Sequence, residues 1–282
     1  MLTEFRLTIV FLLTAFIHMF QTFNYSVRLA GVRTRRVSMA YSLFSVLFLL
    51  ASTANTIQAP LMAKGIEAAS SLLPNISSNS PDAYSVFVES VDTQLRYILL
   101  GATVGTICGT LLIPSFTRIF SNSILLLEKA GSVPRLLLAT LSFRRFKHLV
   151  NNVQLPNLEV IARMREERTI PTKTLILNII VTAIFSTGVL SALYAGVLAP
   201  EYRQTAGYLA AVINGMATIL LATLIDPVTA IYTDEAISGK RSEDEVKSLV
   251  MYMAFSRITG TLFAQVLLLP SAKIIQWVTH II

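Results

Sequence analysis

Arg257 is the residue whose position most demands an explanation. It lies eight residues into an apolar run, Leu249–Leu269, about 12 Å along a helix axis. A charge at the centre of a bilayer costs at least ~2.5–3.5 kcal/mol on insertion scales. It must therefore face an anion site in a bundle interior, a structural ion-pair partner, or an interface to which it snorkels. Gln265 follows eight residues later, about 80° around the helix, so the two can line one cavity. Arg28 and Arg33 stand beside the end of the first apolar run. They can bind a diphosphate through charge-assisted hydrogen bonds, or act only as topology determinants. Asn55 and Gln58, one turn apart, offer amides to a sugar or to a neighbouring helix. Asp226, before Pro227, is placed to pair with an arginine across the bundle. Asp234 and Glu235 follow as ion-pair or proton partners in a conformational cycle, or as solvated loop residues. These groups bind anions and form ion pairs, and none makes a catalytic constellation.

Six apolar runs position them: Leu7–Phe23, Val37–Ile57, Tyr97–Phe116, Leu175–Ala199, Ala206–Ile225 and Leu249–Leu269. Each has roughly the 20 residues that a helix needs to cross a hydrocarbon core. Hydrophobic residues make up 54% and charged residues 14% of the chain, where a soluble domain carries about 25% charged. The expected fold is an all-α integral membrane protein, one polytopic domain over residues 1–282. Asp226-Pro227 is expected to end the fifth helix, since proline stops or kinks one. Glu4 and Arg6 leave no basic leader ahead of the first run, which reads as a retained helix, not a signal peptide.

The net charge of +7 is distributed by loop, which argues against nucleic acid as a partner. Lysine and arginine number 17 in the segments after runs 1, 3 and 5 and only five in the alternate segments. Basic loops face the cytoplasm, so both termini are expected outside. Segment 59–94 is then an outer loop. Its turn-forming stretch at 73–81 joins extensions of helices 2 and 3 that project from the membrane. Segment 118–172 is cytoplasmic. Within it, residues 134–150 mix leucine and phenylalanine with Arg135, Arg144, Arg145 and Lys147, as suits a basic amphipathic helix lying on anionic lipid.

Gly101, Gly105 and Gly109 repeat every four residues and mark a close helix contact, within one copy or between copies. His18 reads as a packed residue, with a proton relay as the alternative. Tyr25–Thr34 and Tyr232–Ser242 look alike, and each following helix is expected to end in a proline and then a lysine, Pro60 with Lys64 and Pro270 with Lys273. That suggests a parallel repeat of helices 1–2 and 5–6.

Several chemistries are excluded. Cys108 is the one cysteine, so there is no internal disulfide or zinc motif. Three scattered histidines, His18, His148 and His280, make no metal site. Gly239-Lys240-Arg241-Ser242 has Asp234 where a phosphate-binding loop needs its first glycine, and no metalloprotease or hydrolase motif occurs. No cofactor is expected, and an enzyme is disfavoured.

The sequence Tyr25-Ser-Val-Arg28-Leu-Ala-Gly31-Val-Arg33-Thr34 resembles the signature of the Amj family of lipid II flippases. The likeness continues through Gln58-Ala-Pro60, Asp226-Pro227, Thr233-Asp234, Gly239-Lys240-Arg241, Arg257-Ile-Thr-Gly260-Thr-Leu-Phe-Ala-Gln265 and Pro270. It spans nearly the whole chain and is least distinctive in the central inner segment. The resemblance implies a bacterial cytoplasmic-membrane protein. Its partners would be lipid II (the undecaprenyl-diphosphate-linked disaccharide-pentapeptide) and the surrounding membrane lipids. It would carry lipid II from the inner to the outer leaflet, and it looks unrelated in sequence to the MurJ flippases. Six helices are few to enclose so large a head, which makes a homodimer plausible. Two alternatives stay open: transport of another polyprenyl-linked cargo, and a non-transporting membrane scaffold for cell-wall synthesis.

Overall fold

A computed structural model describes residues 3–70, 82–132 and 170–282. The turn-rich stretch at 73–81 and the basic amphipathic segment at 134–150 lie outside the described residues. The described chain is helical throughout, and six helices are long and apolar enough to span a membrane.

The helices outrun the apolar stretches that predict them. α1 covers Glu4–Thr34 and α2 covers Val37–Ser70. α3 runs over Ala83–Ala130, 48 residues or about 72 Å, against a hydrocarbon core of ~30 Å. α2, with 34 residues, is likewise longer than such a core requires. α4 is Thr172–Leu198. A 3-10 turn, Pro200–Tyr202, leads into α5, Arg203–Leu220. α6 is Asp226–Ile237 and α7 is Glu243–Thr279. The start of α7 follows from a capping box. Ser242 Oγ accepts from the Glu245 N–H at 3.1 Å, and the Glu245 carboxylate accepts from the Ser242 N–H at 2.8 Å.

Three expected helix ends are not ends. α2 continues through Pro60 and α7 through Pro270. Neighbouring helices in a membrane bundle let a helix carry a proline that would break it in water. At Asp226-Pro227 the chain forms a π turn over Leu221–Ile225 and then resumes as α6. The wider turn absorbs the mismatch that the proline creates. Pro227 then falls in the first turn of α6, directly after Asp226, whose N–H bonds the Leu221 carbonyl across the π turn.

Glycine sets the tightest contact. A Cβ on Gly101 would lie 2.7 Å from the Phe11 carbonyl, one on Gly109 would lie 2.8 Å from Thr22 Cβ, and one on Gly105 would overlap the Ala15 backbone. The four-residue glycine spacing thus seats α3 on α1 within a single copy. α7 packs on α4 in the same way, with Gly260 against Ile179 and Thr182. Two apolar clusters stack along the bundle, one around Leu95, Ile98, Leu99 and Leu268 and one around Leu29, Ile113, Leu249 and Met253. α5 lies at the periphery, with Tyr208, Val212, Met216 and Ile219 exposed, as suits a lipid-facing side.

Candidate functional site

Four polar residues on α1 fall at positions 21, 24, 25 and 28. That is the i, i+3, i+4, i+7 spacing of one helix face. In an apolar span this face is an inverted stripe, and it must turn inward. Gln21, Asn24, Tyr25 and Arg28 line a cavity of about 200 Å³ with Arg257 of α7 and Asp226 of α6. Phe44, Leu47 and Phe48 of α2, Phe185 of α4, and Leu221 and Ala222 of the π turn supply its apolar walls. π turns inside helices are frequent at functional sites, and this one places Asp226 against Arg28.

The cavity holds two buried guanidiniums, Arg28 at 5% and Arg257 at 8% exposure. Arg28 Nη2 donates to Asp226 Oδ1 at 2.5 Å, while its Nε and Nη1 have no partner among the described residues. The guanidinium also lies 5.7 Å from the Tyr41 ring centroid, within cation–π range. Arg257 Nη2 donates to Gln21 Oε1, and its Nε is buried without a partner. Asn24 Oδ1 is likewise unpartnered. Among the described residues two positive charges share one carboxylate here, so the cavity lining is net positive. Buried guanidinium donors need hydrogen-bond partners. An anion with several oxygens, such as a diphosphate, would fill them.

The cavity is flanked by α2 on one side and by α5 and α6 on the other, and these scarcely touch. Phe48, at the α2 edge, is half exposed. Phenylalanines thus border the cavity on its α2 side.

The other predicted residues go elsewhere. Arg33 is five residues beyond Arg28, about 140° around the helix. It pairs with Glu243 at 2.7 Å on the bundle's end. Gln265 faces α3, not Arg257. Its Nε2 donates to the Arg96 carbonyl at 3.1 Å, and Arg96 Nη1 returns a bond to the Gln265 carbonyl at 2.8 Å, so the pair clasps α3 to α7. Asn55 and Gln58 line a separate small pocket with His18, and Gln58 Nε2 donates to Thr14 Oγ1 at 2.6 Å. Asp234 is exposed. Glu235 pairs with Arg241, whose guanidinium also bonds Glu245 and stacks 4.0 Å over Tyr232, which pins the α6–α7 turn. Gln21, Asn24, Tyr25 and Phe185 escape the sequence reading. The first three carry a signal in their helical spacing, and Phe185 carries none.

The Arg28–Asp226 pair ties α1 to α6 across 198 positions. A double-mutant cycle with Arg28→Ala and Asp226→Asn is expected to show a coupling of about 1–2 kcal/mol in unfolding measurements on the detergent-solubilised protein. Removing one partner of a fully buried pair costs ~3–5 kcal/mol, and the coupling here is smaller because the Asp226 side chain is 39% exposed. Strictly additive variants would show that the pair does not couple the two helices.

Residues 13–279 match the model of a family described as Amj, alternate to MurJ. A curated relative, "Lipid II flippase Amj" of Bacillus subtilis (strain 168), is 35% identical over 271 residues, covering 96% of this chain and 95% of the relative. No solved structure matches.

Proposed function

The chain belongs to the Amj family, and we propose that it is a lipid II flippase of the bacterial cytoplasmic membrane. It carries the undecaprenyl-diphosphate-linked peptidoglycan precursor from the inner to the outer leaflet. The observation that bears most weight is the side-opening cavity with two buried arginines and one carboxylate. It matches a cargo whose charge sits between a polar head and a long apolar tail. The proposed orientation follows the basic loops, with both termini outside and the Arg28 end of α1 at the cytoplasmic face.

In this reading the diphosphate enters between α2 and α5 and binds the free Arg28 and Arg257 donors. Its oxygens compete with Asp226 for Arg28, which loosens the tie between α1 and α6. The π turn is the hinge at which α6 can then move. The prenyl tail remains in lipid throughout. Drug-sized pockets run about 300–1,000 Å³, so a cavity of about 200 Å³ takes the diphosphate and not the whole head. The remainder of the head requires the bundle to open, as in alternating access. An interior-negative potential favours outward anion movement by about 2.3 kcal/mol per charge per 100 mV.

The test is a leaflet assay. Cells depleted of their other lipid II flippase express this protein, and newly made lipid II is exposed to an impermeant enzyme that cuts cargo on the outer face. Cleavage that depends on this protein is expected. Its absence, with the protein confirmed in the membrane, would transfer the assignment to another polyprenyl-linked cargo or to a scaffold role.

A further inference from the structure

A second, smaller pocket lies farther along α1. It is lined by Thr14, His18, Asn55, Gln58, Ser186 and Asn214 among others, and its volume is about 30 Å³, room for one or two waters. His18 is 4% exposed, yet among the described residues its Nδ1 has no partner, and neither has Asn214 Oδ1. Both residues line this pocket, so it offers polar groups beside the apolar side chains of Ile17, Met62, Val189 and Leu190. Unlike the larger cavity, it contains no arginine and no carboxylate. Its chemistry is amide, hydroxyl and imidazole, which suits neutral sugar or peptide groups and not phosphate.

The two cavities share one wall residue, Phe185. Its ring stands edge-on to His18, with centroids 6.4 Å apart and planes at 71°. On α1 the polar lining is continuous across this partition: Thr14 and His18 on one side, Gln21, Tyr25 and Arg28 on the other. These positions keep to one helix face over about 21 Å, much of the ~30 Å hydrocarbon thickness. Thr14 and Tyr25 in this stripe accept hydrogen bonds from Gln58 and Asn178, while buried Arg28 and His18 keep unpartnered nitrogens among the described residues, as suits a wet or liganded path.

We propose that the two cavities are consecutive stations of one headgroup route along α1, with Phe185 as the gate between them. The arginine station holds the diphosphate. The amide station receives the hydroxyl- and amide-bearing part of the head, and here it is closed down to the size of a water. The cargo named at each station rests on the flippase reading, whereas the gate does not.

The test therefore uses accessibility before transport. In a Cys108→Ser background, which removes the exposed native thiol, single cysteines are placed at Gln21 in the arginine station and at Asn55 in the amide station. A charged, membrane-impermeant thiol reagent is applied to inside-out and right-side-out vesicles without cargo. The Gln21→Cys protein is expected to label from the cytoplasmic side. The Asn55→Cys protein should label slowly from that side with Phe185 in place, and at least ten times faster with Phe185→Ala. Phe185→Leu, the milder change in volume, should fall between them and supplies the comparison if the alanine variant fails to accumulate. Equal Asn55→Cys labelling with and without the phenylalanine ring would overturn the gate. Faster labelling combined with no lipid II cleavage in the leaflet assay would keep the gate and reject the cargo.

Discussion

Arg257→Ala is expected to abolish cargo transport while leaving the protein at least as stable as the parent. The guanidinium is buried at 8% exposure, its Nη2 donates to the neutral Gln21, and among the described residues its Nε has no partner. Among the described residues no carboxylate pairs with it, and Tyr25 is its other polar neighbour. A charge held in this way is destabilising, so its removal relieves desolvation at the cost of its neutral partners Gln21 and Tyr25. Binding should suffer in the opposite sense. Truncating one partner of a buried charged contact costs about 2–5 kcal/mol, or at least ~30-fold in affinity for the anion. Arg257→Lys keeps the charge and loses the planar fork, and should transport at an intermediate rate. The leaflet assay and thermal unfolding of the purified protein read the two quantities separately. A variant that melts several degrees lower and still flips its cargo would make Arg257 a structural residue.

The largest stability loss is expected at Gly105. A methyl there would overlap the Ala15 carbonyl and lie 2.7 Å from Ala15 Cα, and backbone cannot turn aside as a side chain can. α3 and α1 must separate along the whole seam that also includes Gly101 and Gly109. Overpacking typically costs about 1–3 kcal/mol, so Gly105→Ala should fall at the upper end and Gly105→Leu beyond it. Gly207 and Gly215 on α5 provide the contrast, because a Cβ at either meets nothing within 4 Å. Alanine there should leave stability unchanged or raise it by about 0.5–1 kcal/mol through helix propensity. Melting curves of the four variants in one detergent make the comparison. Equal losses at Gly105 and Gly207 would mean that the α1–α3 seam is looser than its geometry indicates.

The six spans and their approximate centres were legible in the sequence because lipid imposes a one-dimensional rule. About 20 apolar residues must occur together, and they can be counted without knowing any neighbour. Gly101, Gly105 and Gly109 also announced a close contact, although only the fold could say that α1 of the same copy fills it. The burial of a charge at Arg257 followed from its place in a run, and its neighbours did not. Gln265 was set beside it by spacing along α7, but α3 stands on that side and engages Gln265 through Arg96. Arg28 and Arg33 looked equivalent as bases near a helix end, and the 140° between them sends one into the cavity and the other to Glu243.

The stripe at Gln21, Asn24, Tyr25 and Arg28 was written in the helical period and went unread, since polar residues near a helix end also suit an interface. Tertiary structure decided what no local pattern contains. It set Asp226 against Arg28, carried the helix through Asp226-Pro227 by a π turn, and put Phe185 between two cavities. The physical reason is one of range. Solvation by lipid acts on each segment separately and is recorded in composition, whereas a cavity exists only where several helices, distant in sequence, fail to fill the space between them.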